Sequence, residues 1–272
     1  MPFTLAHPAA VLPLLRTPLV PSALVAGAVA PDVPYYVSLR WLGGDYNLTL
    51  THAASSLLWL DPLLALGLLA CFHGLLKWPL TALLPRSAAE RAWPAATRFA
   101  WRSAPAVAWT LLSVVVGAAT HLAWDGLGTV VGSSWSGRVD LAGTALGGVA
   151  LAGWVVRWWR TAPRRPVPPG TLLPRWPARC VLVGLVATAA LAGAVAVARE
   201  LPEVQRSLRE LGEWSAAAGL EHGARVFVVH AATALGVATG LYALGWHLAR
   251  RLPHRRRSQP TEPAGGPPRV SR

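Results

Sequence analysis

Charge is what this chain has least of. Only 14% of its 272 residues are charged, where a soluble domain carries about 25%. That shortage excludes an ordinary water-soluble fold, and charge-free runs long enough to cross a bilayer recur along the chain. Acidic residues are scarcest, 12 against 25 Lys and Arg. The resulting net charge of +13 does not mark a nucleic-acid binder, because the arginines stand in blocks between apolar runs, as membrane topology alone requires. Nucleic acid is therefore set aside as a partner. Cysteine is limited to Cys71 and Cys180, which excludes a disulfide framework; inside apolar runs, both read as small core residues. No basic residue precedes Arg16, which excludes an ordinary signal peptide.

What is present is hydrophobic length. With 53% hydrophobic residues, the chain reads as an all-α polytopic membrane bundle. Five spans are predicted, at about Ser56–Leu76, Pro105–Trp124, Leu141–Trp158, Arg179–Ala198 and Val226–Leu248. The first 35 residues are apolar too, but Pro8, Pro13, Pro18 and Pro21 interrupt them. Proline removes a backbone donor and clashes with the preceding turn, so a broken helical hairpin is expected there instead of one straight span. Residues 161–178, rich in Pro and Arg, read as a connector between a front portion (1–160) and a two-span rear portion (179–249). The basic, Pro/Gly-rich tail from 250 is expected to be disordered.

Orientation follows from Lys and Arg counts. Segments 77–102, 157–179 and the tail are strongly basic, whereas 126–140 and 199–225 balance basic with acidic residues. The alternation sends the basic segments to the cytoplasm and the loops 38–54, 126–140 and 199–225 outside, in a plasma membrane. Asn47 begins a glycosylation sequon that matters only in a glycosylating pathway.

The polar outliers gather on one side of that topology. His121 and Asp125, four residues apart at the end of the second span, share one helix face. His52 precedes the first span, and Asp61 lies just inside it. Asp32 follows the broken hairpin, whose geometry would return His7 to the same level. Ionisable groups at membrane depth are costly and mark function. Mixed His/carboxylate sets suit zinc and other first-row divalent ions. Plainer roles compete: Asp32 as a helix cap or turn residue, His52 as the cap of a helix starting near Ser55, and Asp61 as the mark of a later span start. His73, His230 and His247, without acidic partners nearby in sequence, read as packing histidines.

Several stretches together, MPFTLAHPAAVLPLL, SALVAGAVAPDVPYY, TH before a span with LDP, and GAATHLAWD, resemble the bacterial membrane family known as domain of unknown function 4184. More distantly, the GxxAPD turn and the His/Asp pattern are similar to YdjM-type membrane-bound metal-dependent hydrolases and to the zinc-dependent phospholipase C fold. These resemblances imply a divalent metal, zinc first, held by His7, Asp32, His52, His121 and Asp125. Two further histidines of the family pattern are absent, with Thr129 and Ala142 in their places. The leading expectation is a metal-dependent hydrolase at the extracytoplasmic face, acting on a lipid or other phosphoester. The alternatives are a non-catalytic membrane scaffold descended from such an enzyme, and an ion-coupled transporter.

Overall fold

The computed structural model describes residues 4–38, 48–99, 103–130, 133–210, 212 and 215–251, and among these the chain is mostly helical, with irregular backbone over 162–174 and no strand. Asn47 and all but the first two residues of the tail lie outside the described residues. Among the described residues five helices are long and apolar enough to cross a membrane, running over Leu60–Leu83, Ala104–Leu127, Arg138–Thr161, Arg175–Glu210 and Ala216–Arg251. This is a multi-pass membrane protein. The first span begins at Leu60, not Ser56: a short 3-10 turn covers Ala54–Leu58 and the helix proper, α4 (Leu60–Ala70), starts beside Asp61.

The N-terminal hairpin is broken as its prolines require. Thr4–Arg16 winds as a 3-10 helix containing Pro8 and Pro13, and α1 (Pro21–Val29) opens with proline in its first turn, where a missing N–H costs nothing. Between them the Thr17 hydroxyl donates to the Leu14 carbonyl at 2.7 Å. The returning arm is tied to α7 (Ala104–Val130) when the Val20 N–H donates to Ser113 Oγ at 2.8 Å.

The crossing of α1 and α7 positions everything that follows. It is built on reciprocal glycines: a Cβ on Gly27 would run into the Val114 carbonyl, and one on Gly117 into the Leu24 carbonyl. Backbones this close need small residues at the contact. Around the crossing, Val11, Leu24 and Ala28 form one buried cluster, and Ala23, Ala26, Ala30, Ala65, Leu69 and Val114 another. The 3-10 arm also packs along α8 (Ser133–Thr161).

The rear hairpin, α9 (Arg175–Glu210) and α10 (Ala216–Arg251), packs on itself and against α5 (Lys77–Leu83). Tyr242 Oη donates to the Pro79 carbonyl at 3.1 Å, and His247 Nε2 donates to the Leu75 carbonyl at 3.0 Å. At 36 residues each, α9 and α10 are about 54 Å long, well beyond a hydrocarbon core of about 30 Å. Most of the 199–225 segment expected as a loop is therefore helix, because intrahelical bonding does not stop at the membrane surface. His230 is corrected by the same extension: it meets Glu200 across the hairpin at 3.4 Å, and both side chains are half-exposed.

The cysteines depart from expectation too. Cys71 and Cys180 are both exposed, on the outer surface of the bundle. In a membrane helix an apolar run has a lipid side, so apolar sequence does not imply the core.

A basic helix, α6 (Arg86–Arg98), links the first span to α7. Its Arg91 is buried, donates from Nε to the Trp159 carbonyl at 2.8 Å, and stacks its guanidinium 4.2 Å over the Trp159 ring. One arginine of the basic segment is thus structural.

Candidate metal centre

Four segments meet at one end of the bundle. The 3-10 arm brings His7; the short 3-10 turn Ala30–Asp32, after α1, brings Asp32; α3 (Leu48–Thr51) is followed directly by His52; and the last turns of α7 bring His121 and Asp125. The α1–α7 crossing sets the level of Asp32 against that of His121, and the hairpin returns His7 to both.

The plainer roles of Asp32 and His52 are not taken, whereas Asp61 does mark the later start of its span. Asp32 stands at the N-cap position of the short α2 (Val33–Tyr36), yet its side chain makes no capping bond. Ala53, not His52, is the N-cap of the turn that follows. Both side chains instead point at the helix face carrying His121 and Asp125.

Four atoms form a small cage. His52 Nε2 and His121 Nε2 are 3.3 Å apart. Each lies 3.5 Å from Asp32 Oδ1 and 3.4 Å from Asp125 Oδ2. A tetrahedral ion with bonds of 2.0–2.1 Å has donor–donor edges of about 3.3–3.4 Å. Five of the six edges of this cage, at 3.3 to 3.5 Å, match that figure.

The imidazoles are oriented from behind. The Ala28 carbonyl can only accept, so His121 Nδ1 donates to it at 2.8 Å. Thr51 Oγ1 spends its single proton on the Pro31 carbonyl at 2.7 Å and is left to accept from His52 Nδ1 at 3.2 Å. In both rings the outer nitrogen carries a proton, so the neutral form of each ring turns the Nε2 lone pair toward the cage. Metal-binding histidines are characteristically fixed in this way.

His7 occupies a different place from the other four. Its ring stacks on that of His121, centroids 3.8 Å apart. Its Nε2 is 3.0 Å from Asp125 Oδ1, the oxygen turned away from the cage, and its Nδ1 is 4.0 Å from Asp32 Oδ2. It hydrogen-bonds the outer oxygen of Asp125, while its buried Nδ1 has no hydrogen-bond partner among the described residues. Among the described residues two groups of side chains could hold a metal ion, Asp32 with His52 and His121, and His7 with His121 and Asp125, each with donor atoms within 4.8 Å of one another.

Burial is nearly complete. Side-chain exposure is 0% for His121, 1% for His7, 4% for Asp32 and 8% for Asp125, and rises to 11% only at His52, which makes the His52 side the approach from solvent. Burial alone would push the Asp32 pKa up, but hydrogen bonds from His121, His52 and Thr4 outweigh it and hold Asp32 well below the usual carboxylate range. Tyr36 Oη donates to Thr4 Oγ1 at 3.0 Å and steadies that support.

Asp61 stays outside both groups. It is fully buried at the start of α4 and held by Ser56 Oγ at 2.6 Å. Thr51, Thr4 and the Ala28 carbonyl were not singled out in the sequence. Only Thr51, directly before His52, carried any local signal. Ala142 is exposed on α8, and the side chain of Thr129 lies outside the described residues.

Residues 1–137 match the family described as a domain of unknown function, DUF4184, a stretch that contains all five converging residues. No curated protein and no solved structure matches the chain.

Proposed function

We propose, for a chain that belongs to the DUF4184 family, that it is a membrane metalloprotein whose zinc or similar divalent ion is held by Asp32 Oδ1, His52 Nε2, His121 Nε2 and Asp125 Oδ2. His7 braces Asp125 from behind. The observation that carries this reading is the pair of imidazole Nε2 atoms 3.3 Å apart whose Nδ1 atoms both donate to acceptors behind them. Two lone pairs facing each other between two carboxylates repel, unless a cation or a proton lies between them. The tetrahedral edges favour the metal, and a two-nitrogen, two-oxygen set suits zinc.

The chemistry we assign is metal-dependent hydrolysis at the extracytoplasmic face. A first-row ion lowers the pKa of a bound water toward neutral and polarises a phosphoryl or carbonyl oxygen. Zinc can expand to five-coordinate, and the partly open His52 side is where water and substrate would enter. Placing the site outside rests on the basic segments lying at the other end of the bundle. A lipid or other phosphoester suits a site at this depth.

One observation favours a second reading, a non-catalytic scaffold. Four protein donors already complete a tetrahedron, the arrangement of structural zinc sites, and Thr129 and Ala142 stand where the family pattern as described above has histidines. Turnover separates the two. Reconstituted, metal-loaded protein is incubated with a panel of lipid and soluble phosphoesters, alongside His52→Ala. Metal-dependent release of product that His52→Ala abolishes supports the hydrolase; full metal occupancy with no turnover across the panel supports the scaffold.

A further inference from the structure

The other end of the bundle holds a second feature, independent of the metal centre. A cavity of about 810 Å³ lies between the turn of the N-terminal hairpin, the first span, α6 and the last turns of α8. That volume is in the range of small-molecule sites. Its walls are largely apolar, including Leu15, Leu80, Leu84, Phe99, Trp154 and Trp158. Among the described residues its charged members are Lys77 and Arg98, and no Asp or Glu lines it.

The backbone changes its winding at this cavity. The first span runs as a π-helix over Cys71–Leu76, and this widened stretch puts Phe72 and His73 on the wall. Such turns are rare within α-helices and gather at functional sites. His73 stacks on Phe99, centroids 3.6 Å apart, and its Nε2 lies 3.1 Å from Ser22 Oγ. Three elements are thereby pinned around the opening: the hairpin, the first span and the end of α6.

We propose that this cavity binds one anionic phospholipid of the surrounding bilayer, with an acyl chain along the apolar wall and the phosphate between Lys77 and Arg98. Charge complementarity selects the occupant. Two cations without an acid favour a net negative headgroup over a zwitterionic one. The apolar walls between membrane helices, with tryptophans at the boundary, favour an amphiphile over a free anion.

The test uses the full chain, purified in detergent, stripped of lipid and titrated with phosphatidylglycerol or phosphatidylcholine of identical acyl chains, with binding read by native mass spectrometry. One phosphatidylglycerol per chain is expected, held at least fivefold more tightly than phosphatidylcholine. Lys77→Gln and Arg98→Gln each weaken phosphatidylglycerol by about fivefold. Ala96→Trp fills the cavity without changing charge and weakens both lipids. Arg164→Gln, a basic residue outside the cavity, leaves binding unchanged. A circular dichroism melt confirms that each variant is folded. Equal retention of the two lipids, or phosphatidylglycerol retention insensitive to Lys77→Gln, Arg98→Gln and Ala96→Trp in folded protein, overturns the proposal.

Discussion

His52 and His121 turn their Nε2 atoms toward each other at 3.3 Å while the Nδ1 of each is committed to an acceptor behind it. Burying two imidazole lone pairs face to face is costly unless a cation or a proton lies between them, and most of what can be tested here follows from the proposal that a metal ion fills that place.

The acceptor behind His52 is the first test. Thr51→Val keeps the shape of the side chain but removes the oxygen that orients the ring. Loss of such a supporting partner typically costs 10- to 100-fold in metal affinity. Competition with a chromophoric chelator should read a loss of about that size, with the helical circular dichroism signal unchanged.

His7 should behave as a brace and not as one of the four donors. His7→Ala leaves the cage atoms in place but frees the outer oxygen of Asp125. The expected result is a metal that still binds at one per chain with affinity reduced about 10- to 100-fold. Asp125→Ala removes a cage atom and should abolish stoichiometric binding in the same chelator assay.

Acid should release the metal through the histidines. Asp32 is held below its ordinary value of 3.8, so its carboxylate contributes above that pH and is lost only as pH falls through the lower folded value. The cage donors that can take up protons while Asp32 stays ionised are the imidazoles. Metal affinity should therefore fall as pH drops, with up to two protons taken up per ion released. Isothermal titration in buffers of different ionisation enthalpy gives that proton count.

The glycine crossing makes a prediction about stability. Gly27→Ala and Gly117→Ala each drive a methyl group into a facing carbonyl, a backbone atom that cannot swing aside. Overpacking of this kind costs about 1–3 kcal/mol. Both variants should melt earlier in detergent and bind metal more weakly, since α1 and α7 carry opposite walls of the cage. Gly67→Ala, with nothing near its added methyl, should leave both properties unchanged.

How much of this was legible in the sequence depends on the range of the signal. The five spans and the pairing of His121 with Asp125 rest on local periodicity, and the family match over 1–137 agrees with the motifs quoted from the front of the chain. The prolines around Arg16 implied a hairpin, and the hairpin implied that His7 returns to Asp32, a long-range consequence of a short-range rule. The stationing of His7 behind the carboxylates was not legible, because it depends on how closely α1 approaches α7, and Gly27 and Gly117 look like any other small residues in an Ala-rich helix. The exposed cysteines and the helical extension through Glu210 were missed because hydropathy reports what a segment is made of, not which side faces lipid or where bonding ends.

The central claim is that Asp32, His52, His121 and Asp125 close around one divalent ion. Elemental analysis of the purified full chain, beside His121→Ala prepared identically, tests it most directly. One zinc or similar ion per wild-type chain and essentially none in His121→Ala is the predicted result; no stoichiometric metal in the wild type, or equal metal in both, would contradict it.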